Sequence, residues 1–210
     1  MIIRSLGMTS ALALLAAMPA QAEMTFNRIS TFATPDNMAA GEDRARPTSA
    51  EIISVSEDGM TLVYTDSPLG VIGLVDITDP KAPKALGNID VGGEPTTAKV
   101  IGGKIFTAVN TSESKANPSG KLVTIDLATK AVVAECDLGG QPDSVAAAKD
   151  GSFLAIAIEN ERDEDLNDGA LPQLPAGYMV KLPVKDGVAD CAALQKIEVT
   201  GLAEIAPEDP

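Results

Sequence analysis

The chain has 210 residues, 30 acidic against 16 basic side chains, a formal net charge of −14, and neither His nor Trp. Without His it cannot build a Ser–His–Asp triad, a Cys–His pair, a His-rich zinc site or a phosphohistidine intermediate. The charge disfavours nucleic acid, anionic lipid and bare phosphate esters as direct ligands, and leaves cations, or anions that arrive with a cation, as natural small partners.

The first 22 residues read as a cleavable export signal. Arg4 gives the positive start, Ala11–Met18 (ALALLAAM) an apolar core too short to span a bilayer, and Ala20-Gln21-Ala22 the small-x-small cleavage site. Export to the periplasm or the medium is therefore expected. No later run approaches the roughly 20 apolar residues of a membrane span, so none is expected. Residues 23–49 form an N-terminal strand and linker, in which Thr25–Ala33 (TFNRISTFA) has strand character with no partner in the first unit. It is the candidate strand for closing a ring.

From residue 50 the chain repeats itself. Gly92-Gly93-Glu94-Pro95 returns 47 residues later as Gly139-Gly140-Gln141-Pro142, and four short apolar runs separate successive copies. The first unit, about 50–95, runs Ala50–Ser56, the turn Glu57-Asp58-Gly59, Thr61–Thr65, the loop Pro68-Leu69-Gly70, Val71–Ile77, Thr78-Asp79-Pro80, then Ala85–Val91. The second, about 96–142, runs Thr97–Ile101, Ile105–Val109, Lys121–Leu127 and Ala131–Leu138. The third, about 143–202, runs Ser144–Ala148, Phe153–Ile158, a long loop, Tyr178–Val184 and Leu194–Val199. Short β-branched runs punctuated by Asp-Gly, Gly-Gly and Asp-Pro are strands and hairpins. No run has the length and 3.6 period of a helix between strands.

A period in the forties with four strands per unit predicts an all-β fold, a β-propeller of about three four-stranded blades in an incomplete ring. Phe153–Ile158 (FLAIAI) is apolar at every position, as in a strand buried on both faces. Three blades do not close a ring, and the chain stops at Pro207-Glu208-Asp209-Pro210 where a next unit would begin. The remaining blades of a longer chain are therefore expected as its partner. Cys136 and Cys191 are the only cysteines. Export permits a disulfide between them, but outer strands of neighbouring blades diverge, so a bridge and two free thiols both stay open.

In a propeller, second-to-third-strand loops and inter-blade links emerge on one face. Here that face collects Asp66 and Ser67, Glu94, Asn110 to Glu113, Gln141 and Asp143, and the long loop of the third unit. Loops on a rigid scaffold carry function, although each of these residues also suits a strand cap. Lys81, Lys84 and Lys130 lie in turns and read as solubilising. Within the long loop, Glu159, Glu161, Asp163, Asp165, Asn167 and Asp168 offer closely spaced hard-oxygen ligands for Ca²⁺. The pattern is no EF-hand, because Asp168 replaces its Gly and Leu174 its bidentate Glu, and a solvated acidic surface is the alternative. No nucleophile motif is present; Gly-x-Ser-x-Gly is missing.

Several stretches carry a resemblance: Tyr64-Thr-Asp-Ser67, Gly73-Leu-Val-Asp-Ile-Thr-Asp-Pro80, Gly92-Gly-Glu-Pro95, Val109-Asn-Thr-Ser-Glu-Ser114, Glu135 to Ser144 and Ile158 to Gly169. From about Ala50 the chain resembles the amino-terminal propeller of secreted bacterial phytase-like proteins. These are often labelled alkaline phosphatase or esterase-like activity of phytase, and are related to the choice-of-anchor I group with its LVIVD/YVTN-type repeats. The resemblance implies a propeller within a longer exported protein that acts on phosphate-ester substrates, and the acidic loop adds Ca²⁺ as the ion that would bridge such a substrate to an acidic face. It transfers no catalytic residue. The alternative function is a non-catalytic ligand- or protein-binding propeller scaffold. A quinoprotein-type dehydrogenase fits less well, because those propellers place repeated Trp at blade junctions.

Overall fold

The computed structural model describes residues 26–171 and 173–199. The expected signal and the final Pro207–Pro210 lie outside the described residues. Among the described residues, thirteen β-strands account for most of the regular structure. The first sheet runs in the order β1 (Ala50–Val55), β2 (Thr61–Asp66), β3 (Val71–Asp76), β4 (Lys84–Asp90), every neighbour antiparallel. The second repeats this as β5 (Glu94–Ile101), β6 (Lys104–Asn110), β7 (Gly120–Asp126), β8 (Val132–Asp137). The third contains β9 (Gln141–Ala147), β10 (Phe153–Glu159) and β11 (Tyr178–Lys185), after which β11 pairs with both β12 (Val188–Ala189) and β13 (Gln195–Glu198). The innermost strands β1, β5 and β9 are neighbours from sheet to sheet. This is a partial β-propeller of three blades. Among the described residues helix is limited to the 3₁₀ turns Thr34–Asn37, Leu166–Gly169 and Cys191–Ala193.

The blades are held by two apolar seams. Val63, Ile72 and Leu74 of the first sheet meet Ile105, Val109, Val123 and Ile125 of the second. The other face of the second sheet, Phe106 and Leu122 with Cys136 and Leu138, meets Leu154, Ile156, Ile158, Val180 and Leu182 of the third. Most of these side chains have no exposed surface, and burying each contributes about 1.5–3 kcal/mol. Both faces of the middle blade are covered, which makes it the keystone of the arc.

The repeated Gly-Gly has a physical cause. Gly92 and Gly139 adopt left-handed φ of 68° and 73° where one blade's outer strand turns into the next blade's inner strand. The second glycine of each pair permits close approach: a Cβ at Gly93 would stand 2.6 Å from the Asn110 carbonyl oxygen, and one at Gly140 2.6 Å from Ile158 Cγ2.

Three expectations need correction. Residues 26–33 form no strand; Phe26 is 93% exposed, and Ser30 Oγ donates to the Pro80 carbonyl. The adjoining Thr34–Asn37 turn packs on β3 and β4 because the Asn37 amide bonds the Tyr64 hydroxyl and the Gly87 N–H. Second, β10 is buried on one face only: Leu154, Ile156 and Ile158 face the second blade, whereas Phe153, Ala155 and Ala157 are half-buried. Lys181 lies over the Phe153 ring at 4.9 Å on that outer side. Third, Lys130 is more than a solubilising turn residue. Its ammonium donates to the Leu86 carbonyl at 2.6 Å, across the first seam, where a bulge in β4 breaks the ladder.

The cysteines settle an alternative that the sequence left open. Cys136 and Cys191 form a disulfide with Cα atoms 5.1 Å apart. Cys191 does not belong to the outer strand of the third blade. It sits in the Cys191–Ala193 turn, on an excursion between β11 and β13 that reaches back to β8. That excursion, and not strand-to-strand proximity, closes the distance.

Candidate functional site

The antiparallel register puts the ends of β2, β6 and β10 beside the starts of β1, β5 and β9: Asp66 opposite Ala50, Asn110 opposite Glu94, Glu159 opposite Gln141. The loops named from the sequence therefore share one face, and side-chain bonds join them across the seams. Ser67 Oγ lies 2.7 Å from Glu51 Oε2 and 3.0 Å from the Pro95 carbonyl of the second blade. Asn110 donates to Glu94, and its side-chain oxygen accepts the Ser112 N–H. Ser112 in turn stands 3.5 Å from the Gln141 amide oxygen of the third blade.

Asp66 departs from the surface role expected of it. It is fully buried, accepting the Thr48 hydroxyl and the N–H groups of Ser49 and Leu69. Three donors replace its hydration, so it anchors the entry of β1 and is not available to a ligand. Glu113 and Asp143 are exposed.

Gln141 is the hub of the face. It is 7% exposed, and its amide nitrogen donates to Glu159 Oε1 at 2.8 Å and to Glu161 Oε2 at 3.0 Å. Two carboxylates of the acidic segment are thereby drawn onto one NH₂ group. Their titration diverges. Burial, then the neighbouring Asp143 charge, raises the Glu159 carboxyl above its ordinary range. Glu161 is held below its range by the Gln141 bond and by Lys115. The Lys115 ammonium, from the β6–β7 loop of the second blade, sits 3.1 Å from Glu161 Oε1 and 3.2 Å from the Arg162 carbonyl. That pairing, with Asp163 and Glu164 nearby, raises the Lys115 ammonium.

The rest of the segment is organised from within. Gln173, which no sequence signal singles out, clamps both backbone groups of Asp163: its oxygen accepts the N–H at 2.7 Å and its NH₂ donates to the carbonyl at 2.8 Å. Asn160 donates to the Gln173 carbonyl, and Arg162 Nε to the Gly169 carbonyl at 2.8 Å. No motif marks a glutamine for this task; only the folded loop brings residues ten apart face to face. Asp163 Oδ1 accepts the Asp165 N–H, and Asn167 and Asp168 turn the chain with φ of 52° and 56°. Asp165, Asn167 and Asp168 are exposed. Among the described residues no three Asp, Glu, Cys or His side chains gather as a metal cage. Of the six proposed ligands, Glu159 and Glu161 are brought together by Gln141, and the other four stand along the outer loop.

A cleft of about 430 Å³ opens beside this face, lined by Thr111, Ser119, Gly120, Lys121, Glu135 and Asp137. Lys121 pairs with Glu135 at 3.1 Å there. The arrangement offers carboxylates, hydroxyls and two lysines, which suits ion pairing and hydrogen bonding to a ligand. No helix among the described residues is long and apolar enough to cross a membrane.

Comparison with known proteins supports the architecture. No curated protein matches the chain. Among solved structures, a candidate 6-phosphogluconolactonase from Bacteroides uniformis is similar at 15% identity and a TM-score of 0.51, over 76% of this chain and 44% of that one. A functionally unknown protein from Desulfotomaculum acetoxidans aligns at 12% identity and a TM-score of 0.47, over 70% and 42%. A luciferin-regenerating enzyme aligns at 16% and 0.49, over 67% and 46%. The chain thus spans less than half the length of these three structures, and at such identities the likeness concerns the fold alone. The family model of the choice-of-anchor I domain matches residues 51–187, from the first strand of the first blade to the β11–β12 turn. The chain belongs to the choice-of-anchor I domain family.

Proposed function

We propose that these blades form part of an exported binding propeller whose loop-bearing face takes a cationic ligand. The observation that carries this reading is the Gln141 hub. One buried amide holds Glu159 and Glu161 side by side, and among the described residues the cation paired with Glu161 is a lysine borrowed from the neighbouring blade. The overall charge of −14 adds long-range attraction for cations. No nucleophile–base pair in this set points to covalent chemistry. Titration with oligolysine and oligoglutamate, at low salt and in about 1 M salt where the screening length falls to roughly 3 Å, tests the reading. Oligolysine alone should bind, at low salt, and more weakly to the Glu161→Gln variant. Equal binding of both peptides would defeat it.

A second reading, favoured by the two carboxylates that Gln141 gathers on this face, is Ca²⁺-dependent phosphate-ester hydrolysis of the phytase-like kind. Bound Ca²⁺ would invert the local field and allow a phosphate to approach an acidic face. Glu159, Glu161, Asp163, Asp165, Asn167 and Asp168 are the residues that would hold it. In that reading Gln141 fixes the first two carboxylates and Lys115 must yield Glu161 to the ion. Release of inorganic phosphate from an aryl phosphate, dependent on Ca²⁺ and lost in Glu159→Gln, would select hydrolysis over binding.

A further inference from the structure

The two seams are closed differently at their outer edge. Between the first and second blades the ties are polar: Ser67 to the Pro95 carbonyl, Val100 N–H to Ser54 Oγ at 3.1 Å, Gly102 N–H to Glu57 at 2.7 Å, and Lys130 to the Leu86 carbonyl. Between the second and third, polar ties gather on the loop-bearing side: Ser112 to Gln141, Lys115 to Glu161, and the Tyr178 hydroxyl to the Leu138 carbonyl. Further out, the segment 186–194 leaves the sheet after β11, makes the two-residue β12 and the Cys191–Ala193 turn, and lies against β8. Its hydrogen bonds stay within its own blade: β12 pairs with β11, Asp190 N–H donates to the Pro183 carbonyl of β11, and Ala193 N–H to Asp190. Ala189 and the half-buried Leu194 add small apolar contacts to the core. Among the described residues no ion pair joins this arm to the second blade, and the disulfide is its one covalent tie to it.

We propose that the Cys136–Cys191 bond is a redox latch that holds this arm over the outer strand of the second blade. Cys191 is exposed whereas Cys136 is 1% exposed inside the apolar cluster, so an attacking thiolate reaches the Cys191 sulfur. A small dithiol forms a mixed disulfide there, and the Cys136 sulfur leaves as a thiolate and takes up a proton. The second thiol of the reagent then closes on its own sulfur and releases the Cys191 thiol. The net change is one protein disulfide and one dithiol converted to two protein thiols and one cyclic disulfide. A thiolate in an apolar cluster is poorly solvated, so departure of Cys136 is favoured when the outer seam parts. Reduction and release of the arm are therefore one event. Strands β6 and β10, packed through Phe106, Leu154 and Ile156, stay in place.

Hydrogen exchange on the full chain, before and after dithiothreitol, reads this out segment by segment. Amides of 186–194 and 132–137 should exchange at least about tenfold faster after reduction, while those of 62–65 and 105–109 keep their protection. The Cys136→Ala/Cys191→Ala variant should match the reduced protein; if it fails to fold, the dithiothreitol measurement on folded protein decides. Unchanged exchange in the arm would mean that packing alone holds it. Loss of protection in every blade would make the bond a staple of the whole fold. Either result overturns the latch.

Discussion

Tyr64 lies across Gly73 so closely that a methyl group at residue 73 would stand 2.0 Å from the ring carbon Cζ. The ring crosses from β2 over its cross-strand partner and delivers its hydroxyl to Asn37, 2.9 Å away. Burial raises the Tyr64 phenol above its ordinary value, which keeps it neutral. Gly73 is thus a shelf for Tyr64, and Tyr64 is the post to which the N-terminal turn is tied.

Gly73→Ala should therefore destabilise the fold by about 1–3 kcal/mol, the usual cost of forcing volume into a packed site. Asn37→Ala should cost about 1–3 kcal/mol as well, because it leaves a buried phenol and the Gly87 N–H without partners. Urea midpoints check both. The two changes should be less than additive, since Gly73→Ala already displaces the ring that Asn37 binds. Full additivity would show that the shelf and the tether are independent.

Thr124 gives the opposite expectation. It has no exposed surface, it lies on the middle strand β7, and its hydroxyl has no hydrogen-bond partner among the described residues. Thr107, equally buried on β6, donates to the Thr97 carbonyl at 2.8 Å. Thr124→Val should raise stability by up to about 1–2 kcal/mol by removing an unpaired polar group, whereas Thr107→Val should lower it by about 0.5–1.5 kcal/mol. Thermal midpoints of the two variants, measured side by side, decide. Equal effects would mean that the Thr124 hydroxyl has found a partner in solution.

The blades were legible because their signals are local. β-branched runs, Asp-Gly turns and the Gly-Gly link recur at fixed spacing, and each of β2, β3, β6, β7 and β10 falls within a residue or two of its expected run. The loop-bearing face followed from connectivity alone. The features that stayed hidden depend on contacts between residues distant in sequence. Thr25–Ala33 has strand composition, but residues 26–33 pair with no strand among the described residues, while Asn37 pins the turn that follows them to β4. Cys191 precedes the run Leu194–Val199, and only the β12 hairpin reveals that the chain leaves the blade there and reaches β8. Asp66 has the look of a loop ligand because composition cannot distinguish a solvated carboxylate from one already satisfied by three donors.

Stability across the acid range should expose the opposed carboxylates at Gln141. Glu159 has a raised folded pKa, so its favourable contribution is complete below the ordinary Glu range and is lost as pH rises through the raised value. Glu161 has a lowered folded pKa, so its contribution is present above the ordinary range and lost as pH falls through the lowered value. Glu159→Gln should therefore stabilise the protein at neutral pH, since an amide oxygen still accepts from Gln141 without the buried charge. Glu161→Gln should destabilise it there and remove part of the decline on acidification. Denaturation midpoints between about pH 3 and 8, spanning the ordinary carboxylate values, provide the measurement. A stabilising Glu161→Gln at neutral pH would contradict the assignment.

Calcium provides the remaining test, because the acidic loop in its present arrangement is held by Lys115 and Gln173 and not by a cage of carboxylates among the described residues. Ca²⁺ takes six to eight oxygen ligands with flexible geometry, whereas Mg²⁺ demands near-octahedral coordination and gives up its water reluctantly. Exposed Asp165 and Asp168 can turn inward at little cost, and Asp163 needs only to release the Asp165 N–H. Binding to the folded state alone raises stability by about 2.7 kcal/mol at a hundredfold excess over the dissociation constant. Ca²⁺ should therefore raise the melting midpoint more than Mg²⁺ at fixed ionic strength. Asp163→Asn with Asp165→Asn should abolish the gain, and Glu94→Gln on the neighbouring loop should keep most of it. Lys115→Met should enlarge it, because the ammonium that competes for Glu161 is gone. Equal shifts with both ions, or a gain that survives the double substitution, would leave the loop as an acidic surface whose cation is Lys115.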